Sequence, residues 1–132
     1  MKEGISIPIL SETDLAVAVL QAAGLARRFG FSEGDTNLIA TSVSELARNI
    51  LKYAQRGEIL LYQIERRGRQ GLEVEAQDRG PGIEDLQEAL RDHYTTGGGL
   101  GLGLPSVRRM MDEFEIESEP GAGTRVRATK WR

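Results

Sequence analysis

Glu58-Ile59-Leu60-Leu61-Tyr62-Gln63-Ile64-Glu65-Arg66 and Leu72-Glu73-Val74-Glu75-Ala76-Gln77-Asp78, separated by Arg67-Gly68-Arg69-Gln70-Gly71, decide the fold. Both flanks read as strands, and the polar, glycine-bearing stretch between them reads as a turn. A connection this short argues against a doubly wound sheet, whose parallel strands need crossover helices.

Upstream, Gly4 to Leu10 reads as a short strand with Ile5, Ile7 and Ile9 alternating, and Pro8 predicts that it lies at a sheet edge. Ser11-Glu12-Thr13-Asp14 matches a capping box and opens a helix to about Phe29, with Gly30 as its stop. Ser32-Glu33-Gly34-Asp35 opens a second helix to about Ala54, whose buried stripe is Ile39, Val43, Leu46 and Ile50. Downstream, Glu84 to Arg91 reads as a short helix and Gly101 to Phe114 as another. Phe114 to Ser118 and Thr124 to Lys130 read as closing strands around Glu119-Pro120-Gly121-Ala122-Gly123. Helices neighbour helices and strands neighbour strands. The expected class is α+β: a two-layer sandwich with a mixed, mainly antiparallel sheet covered on one face by helices.

The chain has 132 residues, enough for one domain spanning 1–132 with a single core. Its hydrophobic fraction of 39% and charged fraction of 28% are those of a soluble globular protein. A net charge of -3 gives no support for whole-molecule attraction to nucleic acid or an anionic membrane. The absence of cysteine excludes disulfides, thiolate metal sites and a thiol nucleophile, and the lone His93 forms no histidine metal cluster. No apolar run approaches the roughly 20 residues that span a bilayer. Met1-Lys2-Glu3-Gly4 does not look like a signal peptide, so a cytoplasmic location is expected.

On the second helix Glu45 and Asn49 stand one turn apart and share a face turned away from the apolar stripe, and Lys52 extends that face. An amide oxygen is a hard neutral ligand suited to a Mg2+ completed by nucleotide phosphates. A carboxylate one turn away can accept or orient the proton of an attacking hydroxyl. Asp78 ends a strand before Arg79-Gly80-Pro81-Gly82. Its carboxylate can accept from an exocyclic amine, with Gly80 and Gly82 leaving room for a flat base, or it can bond its own turn backbone. Thr95-Thr96-Gly97-Gly98-Gly99-Leu100-Gly101-Leu102-Gly103-Leu104 leads into a helix N-terminus, the geometry of a phosphate site. No Gly-Lys-Ser/Thr follows, so it is not a Walker A loop, and no strand directly precedes it as a dinucleotide fingerprint requires. Gly121-Ala122-Gly123-Thr124 places a hydroxyl at the start of a strand.

Those four elements in this order resemble the Bergerat, or GHKL, ATP-binding fold of gyrase, Hsp90, MutL and histidine kinases. The resemblance covers nearly the entire chain. It implies Asn49 on Mg2+, Glu45 as general base and Asp78 on the adenine amino group. It implies Thr96, Gly97, Gly98, Gly99, Leu100, Gly101, Leu102 and Gly103 around the phosphates, with Gly80, Gly82 and Thr124 at the adenine pocket. Arg48, Lys52 and Arg108 are candidates for phosphate contact, and the sequence does not choose among them. Ser44-Glu45-Leu46-Ala47-Arg48-Asn49, the glycine-dense Tyr94 to Pro105 stretch and Met111-Asp112-Glu113-Phe114 look most like the bacterial partner-switching kinases of the stressosome. That resemblance implies ATP and Mg2+ as cofactors and Ser/Thr residues of STAS-domain antagonist or scaffold proteins as substrates. It also implies a PP2C-type phosphatase activated when the kinase is released. Anti-sigma-factor kinases, which act on a STAS protein, are the second reading, and a non-catalytic ATP-gated binding module is the third.

Overall fold

A computed structural model describes residues 3–83, 90 and 103–132. The elements run β1 (Glu3–Ile9), α1 (Glu12–Arg28), α2 (Glu33–Asn49), a π-helical turn (Ile50–Ala54), β2 (Gly57–Arg66), β3 (Arg69–Asp78), α3 (Leu104–Met110), β4 (Glu113–Glu119) and β5 (Gly123–Trp131). The five strands lie in the order β1-β2-β3-β5-β4. Every described pairing is antiparallel, so the parallel component of a mixed sheet is absent among the described strands. β1 is an edge strand, as Pro8 predicts, because proline cannot donate to a second neighbour.

Both serine caps form. Ser11 Oγ accepts from the Asp14 N–H at 3.3 Å and Ser32 Oγ from the Asp35 N–H at 3.1 Å. Each satisfies a donor that the first helical turn leaves orphaned. Asp14 does more than the capping box requires: its Oδ2 reaches back to the Leu10 N–H at 2.8 Å and secures the chain as it leaves β1. The stripe Ile39, Val43, Leu46 and Ile50 is buried and joins Leu15, Ala18 and Ala22 of α1 in one cluster with Ile59, Leu61, Leu72, Val74, Val126 and Ala128 of the sheet. Burying each large side chain of that stripe contributes about 1.5–3 kcal/mol. The helices thus cover one sheet face. The other carries Glu73, Glu75, Arg125 and Arg127, with the Arg125 guanidinium donating to Glu75.

Two boundaries differ from the sequence expectation. The β2–β3 turn needs only Arg67 and Gly68, at φ 54 and φ 78, not five residues. A two-residue hairpin with both central residues left-handed matches the strand twist, so pairing continues to Arg66↔Arg69. Helix α3 ends at Met110 and does not reach Phe114. Met111 is extended and buried, and Asp112 is drawn into the sheet: its N–H donates to Thr129 O at 2.8 Å, and its Oδ2 accepts the Trp131 N–H at 2.7 Å. Sheet hydrogen bonds outcompete the last helical turn, and β4 begins at Glu113. The helix expected over 84–91 lies outside the described residues apart from Leu90, and His93 lies wholly outside.

Candidate active site

Helix α2 positions the carboxylate–amide pair. Its core stripe faces α1 and the sheet, which leaves Glu45 and Asn49 on a half-exposed flank of the helix. Arg48 Nη1 lies 3.5 Å from Glu45 Oε1, an exposed contact within one turn that restrains the carboxylate rather than neutralising it. At the start of α3, Gly103 sits at φ 70 directly against that carboxylate: a Cβ built there would lie 2.3 Å from Glu45 Oε2. The left-handed backbone favours glycine here, and an added Cβ would push the Glu45 carboxylate aside. Residues distant in sequence, Glu45 and the last glycine of the glycine-dense segment, are therefore neighbours in space.

Directly after Asn49 the helix widens into the π-helical turn Ile50–Ala54 and stops at Gln55, which takes φ 71 and ψ -30. Such turns concentrate at functional positions, where they re-aim side chains. Lys52 lies within this turn, after the α-helix that carries Glu45 and Asn49 has ended. Its Nζ lies 5.1 Å from the Tyr53 ring centroid. The same turn is the joint with the end of the sheet. A Cβ on Gly80 would lie 2.6 Å from Ala54 Cβ, and one on Gly57 would lie 2.9 Å from Ile50 Cγ2.

That sheet end holds the second group of expected residues. Asp78 and Thr124 are directly paired across β3 and β5, with Gly57 beside Asp78 and Ser118 beside Thr124 in the same row. Asp78 Oδ1 accepts from the Gly80 N–H at 2.9 Å, and Oδ2 takes no hydrogen bond among the described residues. One oxygen thus fixes the turn, as the turn-backbone reading of Asp78 expects, and the other keeps its acceptor capacity. Sequence reasoning missed Ser118, whose Oγ accepts from the Ile83 N–H at 2.8 Å and contacts Thr124 Oγ1 at 2.8 Å and Gly123 O at 3.1 Å. It fastens the chain leaving Gly82 to the sheet.

Gly82 and Gly123 serve packing. Added Cβ atoms would fall 2.2 Å from Glu119 O and 2.2 Å from Asp78 O, so the two loops interlock backbone to backbone. A cleft of about 1010 Å³ opens at this sheet end, lined by Asp78, Ala54, Ser118 and Thr124 and also by the row Pro8, Glu58, Gln77, Arg125 and Glu117, which faces away from the helices. Glu45 and Asn49 are not among its lining residues; Glu45 lies against Gly103 at the start of α3. Of the basic candidates, Arg108 Nη2 donates to Leu90 O at 3.1 Å and Arg48 is engaged with Glu45. Thr96, Gly97, Gly98, Gly99, Leu100, Gly101 and Leu102 lie outside the described residues.

The donor set suits a nucleotide-held divalent cation. Among the described residues no three His, Cys, Asp or Glu side chains gather into a metal cage. Asn49 offers one hard, neutral protein oxygen, which suits a Mg2+ whose shell phosphates and waters complete.

An antiparallel sheet under two helices, with a carboxylate–amide pair on one helix and an acidic strand end across a joint from it, is the build of an ATP-binding domain. The chain matches the histidine kinase-like ATPase domain over residues 10–130 and belongs to that family, in its serine/threonine-protein kinase branch. It is 43% identical over 131 residues to the serine/threonine-protein kinase RsbT of Bacillus subtilis (strain 168), covering 99% of this chain and 98% of that protein. It is 36% identical over 98 residues to the anti-sigma F factor of Thermoanaerobacter sp. (strain X514), covering 70% of this chain and 68% of that protein. It is 32% identical over 105 residues to the sensor-like histidine kinase SenX3 of Mycobacterium tuberculosis (strain ATCC 25618 / H37Rv), covering 69% of this chain but 25% of that protein. Among the described residues no helix is long and apolar enough to cross a membrane.

Proposed function

We propose that residues 1–132 act as one cytoplasmic kinase domain that transfers the γ-phosphoryl group of ATP to a serine or threonine of a STAS-domain partner. On release from that partner, the domain binds and activates a PP2C-type phosphatase. The observation that carries the catalytic part is that the Glu45 carboxylate, one turn from Asn49 on α2, lies against Gly103 at the start of α3. Full-length likeness to RsbT supports the partner-switching role more strongly than the partial likeness to the anti-sigma F factor, whose fit leaves a sigma-subunit partner as the second reading.

Asp78 Oδ2 accepts the adenine amino group, and Thr124, paired beside it, lines the base end. Asn49 would hold Mg2+, which when bound would supply positive charge at the phosphates. Glu45 accepts the proton of the partner hydroxyl as its oxygen bonds to the γ-phosphorus and the bond to the bridging oxygen of ADP breaks. Because such a transition state is loose, the protein contributes mainly position and charge. Docking of the partner, by fixing the hydroxyl near the γ-phosphorus, supplies the proximity term.

Intact-mass measurement of a STAS-domain protein from the same genome, incubated with this chain and Mg-ATP, tests the reading. Gain of one phosphoryl group on a Ser or Thr supports it. Nucleotide binding with no gain on any STAS protein overturns the kinase and leaves an ATP-gated binding module.

A further inference from the structure

Lys130, in β5, buries its side chain to 11% exposure at the seam between α2, α3 and the sheet. Its Nζ donates to the carbonyl of Met110, the last residue of α3, at 2.8 Å. It lies 3.6 Å from Asp112 Oδ1 and 3.8 Å from Asp35 Oδ1, in the first turn of α2. Asp112 is itself pinned to the sheet through the Trp131 N–H. One ammonium group thus links the start of α2, the end of α3 and the closing strand. Burying an ammonium costs free energy that a methionine of similar shape would not, so packing alone does not account for it.

Helix α3 spans only Leu104–Met110, too short to be stable without external support. Its position is set by what holds its two ends. At the C-terminal end that is Lys130, a cation on an otherwise orphaned helix carbonyl. At the N-terminal end Gly103 rests on Glu45. We propose that Lys130 is a positioning residue for phosphoryl transfer: it clamps α3 against α2 so that Gly103 and the Glu45 carboxylate stay in contact, and so sets the width of the phosphate end of the site. The inference rests on the reading of the α2–α3 seam as that phosphate end.

The test compares wild type with Lys130→Met, which keeps the stem and removes the charge and donor, and Lys130→Arg, which keeps both. Three quantities are read at 25 °C: the Mg-ADP dissociation constant by calorimetry, the split of KM for ATP against kcat, and the stability to urea without nucleotide. Lys130→Met is expected to raise the dissociation constant and KM for ATP about tenfold, the scale of one lost charge-assisted hydrogen bond. Lys130→Arg is expected to recover most of that loss. Should Lys130→Met fail to fold, Asp35→Asn, at an exposed helix start, is expected to raise the dissociation constant by at least twofold; no rise overturns the proposal. A Lys130→Met chain that unfolds at lower urea but binds Mg-ADP with wild-type affinity also overturns it, since the lysine is then only a staple. Failure of the wild-type chain to bind Mg-ADP is a different result: it overturns the nucleotide reading, and the positioning role with it.

Discussion

Changing Asp78 to asparagine alters one charge and almost no shape, and its effect is set by the oxygen that the turn already uses. Oδ1 accepts the Gly80 N–H at 2.9 Å. In Asp78→Asn that N–H selects the amide carbonyl for itself, because two donors cannot face each other, so the new NH2 group occupies the place of Oδ2. A donor then points at the adenine amine where a charged acceptor stood. Loss of a hydrogen bond to a charged group costs about 1.5–3 kcal/mol, or roughly 10- to 150-fold in affinity. The fold is spared, since the turn bond survives and the side chain is only half buried; stability should stay within about 0.5 kcal/mol. Calorimetric titration with Mg-ADP, alongside thermal unfolding of the free protein, reads both quantities. Binding within twofold of wild type would refute the assignment of Oδ2 to the base. Asp78→Ala should lose affinity and also stability, because it orphans the Gly80 N–H.

Glu45→Gln should leave the Mg-ADP dissociation constant within about threefold while lowering transfer from labelled ATP at least 100-fold, the scale of general-base loss; undiminished transfer removes Glu45 from that role. Ser118→Ala removes the shared partner of Ile83 N, Gly123 O and Thr124 Oγ1 and should cost about 1–3 kcal/mol in urea unfolding; a loss below about 0.5 kcal/mol would show that the hydroxyl does not hold that loop. Glu113 is held below the ordinary carboxylate value by the Trp131 indole N–H and then by Arg66, against partial desolvation. A carboxyl with a depressed folded pKa binds its proton more weakly when folded, so its stabilisation is full above the unfolded value of 4.5 and fades as pH falls below it. The unfolding temperature should therefore drop between about pH 5 and pH 3, and less steeply in Glu113→Gln; identical slopes would show that Glu113 contributes nothing.

Local patterns made much of this fold legible. Ser11 and Ser32 announced their helices, Pro8 the edge strand, and the spacing of Ile39, Val43, Leu46 and Ile50 the buried face, because each depends on neighbours within a few residues. The end of α3 was not legible. Met111 to Phe114 continue a helical pattern, but Thr129 and Trp131, remote in sequence, claim Asp112 for the sheet. The same limit applies at the site. Glu45 and Asn49 share a face by helical arithmetic, whereas the π turn that brings Ala54 against Gly80 has no local signature. The purpose of Gly82 and Gly123 also lay beyond the sequence, which shows an absent side chain but not the opposing backbone that fills its space. Ser118 and Lys130 were missed for a related reason: a lone serine or lysine in a strand carries no pattern until its partners are placed.

Amide chemical-shift mapping by NMR as Mg-ADP is added tests the location of the nucleotide most directly. The largest shifts should fall on Asn49 and the π turn, on Asp78 to Gly80, on Thr124 and on Gly103, joining the α2–α3 seam to the end of the sheet. Shifts confined to the helix-free face around Glu73, Glu75 and Arg127, or no shifts at saturating nucleotide, would contradict the account.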